Sequence, residues 1–89
     1  MEVTIVYDNK KDRELLESID SKFPIFVNYI DYNTKDGRRE AFQTKSYWGA
    51  KLNPFVVVQE GEKIIKVFYS EKSNAIQQLI NYLNDSSKI

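Results

Sequence analysis

Residues 54–69 have the sequence PFVVVQEGEKIIKVFY, and this stretch decides the fold. Residues 55–58 are the most apolar run in the chain, which is typical of a strand that is covered on both faces. Glu60-Gly61-Glu62 predicts a tight hairpin turn, and residues 64–69 predict the returning strand. Pro54 stands at the start of the first strand, where sheets tolerate proline. The stretch therefore predicts an antiparallel hairpin with a buried first strand.

The residues before this hairpin predict the order strand, helix, strand, helix. A strand over residues 2–7 precedes a helix over residues 9–22, which either Asp8 or Asn9 can cap. A strand over residues 25–32 leads through a polar turn to a helix over residues 38–47, and Gly49 is placed to end that helix. Ala41, Phe42 and Trp48 are predicted to face the core.

The residues after the hairpin predict a last helix. Either Ser70 or Ser73 can cap it, and its apolar stripe contains Ala75, Leu79 and Leu83. The whole chain is therefore predicted to be an α/β protein of order βαβαββα, with a mixed four-stranded sheet flanked by three helices. We expect one domain over residues 1–85 and a flexible C-terminal tail over residues 86–89.

Composition limits the functions that fit the chain. Its 13 basic residues balance 13 acidic ones, whereas a dedicated nucleic-acid-binding domain is usually strongly basic. The sequence has no histidine and no cysteine, so the usual general base and the usual structural zinc ligands are missing. We expect no metal, no cofactor, no nucleic acid and no enzymatic activity. No signal peptide or membrane-spanning segment is evident, which predicts a cytoplasmic protein.

Residues 47–58, followed by Gly61 and residues 66–68, resemble a pattern of the thioredoxin-like fold in its minimal, glutaredoxin-like form. In that pattern a helix ends at glycine, a short loop follows, and a proline opens an apolar strand. The predicted order of elements extends the resemblance over nearly the whole chain. The resemblance implies that the Asn53–Pro54 peptide bond is cis, which costs only about 0.5–1 kcal/mol relative to trans.

The chain departs from this family at the place where the family keeps its chemistry. The Cys-x-x-Cys motif lies after the first strand, at the start of the first helix, and here that place is held by residues 7–11, Tyr-Asp-Asn-Lys-Lys. A thiolate is the nucleophile of thiol–disulfide exchange, and the chain contains no thiol. Thiol–disulfide chemistry is therefore excluded.

The resemblance implies a function in protein or peptide binding, because the family's loop before the proline pairs with extended peptides without using cysteine. The predicted binding residues are Leu52, Asn53 and Pro54, with Asn9 and Lys10 across the cleft.

An alternative is a module that binds glutathione or a similar anion, in which Lys10, Lys51 and Ser73 converge on one pocket. A purely structural role in self-association is a third hypothesis, and the oligomeric state stays open.

Overall fold

The structure is a computed structural model that describes residues 1–20, 25–44, 46–47, 54–71 and 73–86. Its elements follow the predicted order βαβαββα, and we number them in chain order. They are β1 (Glu2–Tyr7), α1 (Lys10–Asp20), β2 (Phe26–Asp31), α2 (Lys35–Gln43), β3 (Phe55–Glu60), β4 (Lys63–Phe68) and α3 (Ala75–Ser86).

The four strands form one mixed sheet in the order β2-β1-β3-β4. β1 is parallel to β2 and antiparallel to β3, and β3 and β4 form the antiparallel hairpin. Val6 is paired with Ile30 on one side and with Phe55 on the other. This topology confirms the predicted α/β class, the parallel first unit and the four-stranded mixed sheet.

The central strands supply the cores on both faces of the sheet. Side chains of a strand alternate between faces, and residues 55–58 are all buried. Val56 and Val58 pack into a core with Leu16 of α1 and Leu79 of α3. A second core lies on the other face of the sheet. There Phe55 and Val57 pack with Ala41 of α2. Two helices therefore cover one face, and α2 covers the other.

The hairpin between β3 and β4 turns at the predicted glycine. Glu60 pairs with Lys63, which leaves Gly61 and Glu62 as a two-residue loop. Gly61 has a φ of 60°, a left-handed conformation that glycine adopts without steric penalty. A positive φ at the first loop position fits the type II′ turns that match the twist of paired strands.

The position of α2 corrects the sequence-based prediction. The helix begins at Lys35 rather than Arg38, because the Thr34 side chain accepts a hydrogen bond from the Gly37 N–H at 2.9 Å and so caps an earlier start. It ends at Gln43, well before residue 47 and before Gly49. Phe42 was predicted to face the core and is 64% exposed, whereas Ala41 is buried as predicted. Trp48 lies outside the described residues.

Gly37 is buried where α2 crosses the end of β2. A Cβ built on it would collide with the carbonyl oxygen of Asp31 and lie 2.6 Å from the Thr34 hydroxyl oxygen. Contacts under about 3 Å are essentially absent from real structures, and the colliding carbonyl is backbone. The glycine is thus required by close approach of the backbone and not by a turn.

We predict that Gly37→Ala destabilises the protein by about 1–3 kcal/mol, the usual range for overpacking. Alanine has the higher helix propensity by roughly 1 kcal/mol, so an uncrowded helical site would show the opposite sign. Urea unfolding measures the difference. Arg39→Ala, at an exposed position of the same helix, is the control and should change stability by less than about 0.5 kcal/mol. A stabilised Gly37→Ala variant would contradict the close approach.

Candidate functional site

All three helices begin at one edge of the sheet, which we call the helix-start edge. β1, β2 and β4 each end there and lead into α1, α2 and α3. β3 runs in the opposite direction to β1, so it begins at the same edge, directly after Pro54. In sheets of this kind, ligands commonly bind beyond the strand ends from which helices start.

All of the described residues that we predicted from the sequence to bind a ligand or partner lie at the helix-start edge. Asn9 and Lys10 are exposed at the beginning of α1, and Ser73 is exposed before α3. Pro54 is buried at the beginning of β3. Lys51, Leu52 and Asn53 lie outside the described residues. The Asn53–Pro54 bond includes one of them, so its cis geometry stays a prediction.

Pro54 is fixed by a hydroxyl that also caps a helix. The Ser70 hydroxyl donates to the Pro54 carbonyl oxygen at 2.6 Å, and its oxygen accepts from the Ala75 N–H at 2.9 Å. Asn74 completes the cap, since its side-chain oxygen accepts from the Ile76 N–H at 2.8 Å. Of the two serines predicted to cap α3, Ser70 makes this contact, while Ser73 contributes its carbonyl to Gln78.

The start of α1 is held by polar contacts. The Asn9 side chain accepts from the Lys11 N–H at 3.0 Å and caps α1, as the sequence predicts. One helical turn on, the Asp12 carboxylate accepts from the Asn74 amide at 3.0 Å. This bond connects the first turn of α1 with the start of α3.

A second long-range contact connects the ends of β1 and β2. The Asn33 amide donates to the Asp8 carbonyl oxygen at 2.6 Å, and the Tyr32 N–H donates to the Tyr7 carbonyl oxygen at 2.8 Å. The chain leaves β1 for one face of the sheet and leaves β2 for the other, so a crevice would otherwise open between these strand ends. The Asn33 side chain bridges it.

Arg13 lies beneath this edge against two tyrosines. Its guanidinium donates to Glu17 at 2.8 Å and to the Tyr7 hydroxyl at 3.2 Å, and it lies 4.8 Å from the Tyr29 ring centroid. The hydrogen bonds to Glu17 and then to Tyr7 raise the pKa of Arg13 further above its usual range. Arg13 is therefore a permanent cation that positions Tyr7, and not a group that exchanges protons.

Lys51 lies outside the described residues, so the convergence of Lys10, Lys51 and Ser73 on one anion pocket stays a prediction. Ser73 lines a cavity of about 390 Å³ together with Glu71, and no lysine is among its described lining residues. A carboxylate disfavours an anionic ligand at this position. In the part of the chain that the structure describes, no group of three acidic side chains is arranged to hold a metal ion.

The sequence analysis missed the long-range contacts that organise this edge, although it named Ser70 as a helix cap. The hydrogen-bond partners of Asn33, Ser70 and Asn74 lie 25, 16 and 62 residues away in the sequence. A helix-capping preference was visible at Ser70, but a partner so far away in the chain leaves no local pattern.

No protein family, curated protein or solved structure matches the chain in the comparisons made. The function of the site is therefore inferred from the geometry of its residues. None of the described helices is both long and apolar enough to cross a membrane.

We predict that Ser70→Ala destabilises the protein by about 1–2 kcal/mol, because it removes a helix cap and the hydrogen bond to Pro54. Ser73→Ala is the matched control. Its side chain is exposed, so it should change stability by less than about 0.5 kcal/mol. Thermal and urea unfolding of both variants measure the difference. Equal effects would mean that the Ser70 bridge contributes nothing specific.

Proposed function

We propose that the chain is a non-catalytic, thioredoxin-like module that binds a protein or peptide at the helix-start edge. The mixed sheet, the parallel first unit and the terminal hairpin support this proposal, because they are the arrangement that the sequence resemblance implies. The absence of cysteine restricts any such module to roles other than thiol–disulfide exchange.

The fixed position of Pro54 is the observation that carries the proposal. In the family that the chain resembles, the backbone just before this proline pairs with an extended peptide. Here Pro54 is buried, and its carbonyl is bound by Ser70 at 2.6 Å. A rigid anchor of this kind reduces the entropy that a binding segment loses when it pairs with a ligand.

Hydrogen bonds already made at the N-termini of the helices favour a polypeptide ligand over a small anion. Helix N-termini bind anions through backbone N–H groups that lack partners. Here the N–H groups of Lys11, Gly37 and Ala75 already donate to side chains of the protein. Exposed charges of both signs surround the edge, among them Lys10 and Glu71. A mixed rim suits a partner of mixed charge.

We predict that Asn53→Arg abolishes binding or weakens it at least tenfold, because a long charged side chain would block pairing beside Pro54. Peptides selected from a random display library against the wild-type chain are the ligands, and fluorescence polarisation gives their Kd. Asn81→Arg is the matched control, since Asn81 is exposed on α3 away from the helix-start edge.

Unchanged affinity in Asn53→Arg would place the interface elsewhere. The same preparations separate the proposal from glutathione binding. Millimolar glutathione should leave the Tm of the protein unchanged, because a ligand that does not bind the folded state does not stabilise it. A rise in Tm would support the anion-binding alternative instead.

A further inference from the structure

In the part of the chain that the structure describes, the face of the sheet that α2 packs on is covered at one end and open at the other. Val6 and Phe55 lie beneath α2 at the helix-start edge. Two residues earlier on β1, the same face carries Thr4, and the alternation of β2 places Phe26 on this face too. Phe26 is 71% exposed, so the end of this face near the β3–β4 turn is accessible to a ligand.

A cavity of about 440 Å³ lies at this open end, and we call it the hairpin-end groove. Its base includes Val57 and Ile64, and its rim includes Thr4, Gln43, Gln59 and Glu62. The volume is in the range of roughly 300–1,000 Å³ that is usual for ligand sites. The carboxamide of Gln43 can both donate and accept, and the carboxamide oxygen of Gln59 can accept, as the backbone of a bound peptide requires.

Among the described lining residues of the hairpin-end groove, the charge has one sign. Glu62 is the charged residue among its described lining residues, and no lysine or arginine is among them. A second carboxylate, that of Glu2, accepts from the Gln59 amide at 3.4 Å and so lies beside the groove. The neutral chain as a whole carries as many basic as acidic residues, so this local excess is a feature of the groove.

The C-terminal end of α2 adds to the negative potential. Gln43 is the last residue of α2 and lines the groove together with Thr44. The carbonyl end of a helix carries a partial negative charge that basic side chains commonly offset. The last turn of α2 contains no basic residue. Helix end and carboxylates thus favour the same kind of ligand, a cation.

We propose that the hairpin-end groove binds a basic peptide segment of a partner protein, with a lysine or arginine side chain beside Glu62. The apolar base accommodates the aliphatic part of such a side chain, and the carboxylates pair with its charged end. The groove lies at the opposite end of the sheet from the helix-start edge, so this site is independent of Pro54.

Nuclear magnetic resonance titration of the full chain with a terminally blocked tetralysine peptide tests the proposal. We expect the largest shifts in the amide signals of Thr4, Thr44, Gln59 and Glu62. Glu62→Gln should weaken binding roughly two- to fivefold, as expected for an exposed ion pair. Added salt should weaken wild-type binding further, because it screens exposed charges.

Glu14→Gln is the control, since it removes the same charge from an exposed position of α1, which packs on the opposite face of the sheet. It should leave the affinity for tetralysine within experimental error of wild type. A tetraglutamate peptide should produce no shifts in the groove. The proposal is overturned if tetralysine causes no shifts, if the shifts map outside the groove, or if Glu62→Gln and Glu14→Gln weaken binding equally. Equal binding of tetraglutamate would also overturn it.

Discussion

The two-sided burial of β3 is the constraint on which the rest of the structure depends. Its side chains alternate between the core under α1 and α3 and the core under α2, so one strand joins both halves of the protein. Phe55 is fully buried and contacts Tyr47 and Tyr69 at centroid distances of 5.3 and 5.4 Å. Truncating a buried phenylalanine typically costs about 3–5 kcal/mol, a large part of the stability of a small domain. The position of β3 also places Pro54 at the helix-start edge.

Strands were predictable because their signals are local. The apolar run of residues 55–58 requires burial on both faces, and β3 is flanked by β1 and β4. The turn at Gly61 was equally visible, since a two-residue loop with a positive φ favours glycine. Burial and turn chemistry are properties of neighbouring residues, so one sequence is enough to reveal them.

The errors arose where a distant or unexpected backbone contact decides the local structure. Asp36 and Gly37 favour a turn by composition, yet Gly37 is inside α2 because Thr34 caps an earlier helix start. The close approach of Gly37 to the Asp31 carbonyl then requires glycine there. The edge that contains the candidate site was predictable from the order of the elements. Its contacts were not, because the Asn74–Asp12 and Asn33–Asp8 bonds join residues far apart in the chain.

Among the described residues, the sheet face that α2 packs on is covered at one end only, because α2 is shorter than the strands beneath it. α2 has 9 residues and β1 has 6. At about 1.5 Å per residue the helix is roughly 13 Å long, whereas at about 3.3 Å per residue the strand is roughly 20 Å long. The start of α2 is held at the helix-start edge by Thr34 and Asp31, so the shortfall lies entirely at the hairpin end. The sequence agrees with this geometry, because β1 and β3 carry the polar Thr4 and Gln59 at the end of the helix and the apolar Val6 and Phe55 beneath it. The hairpin-end groove is thus a consequence of a short helix fixed at one end.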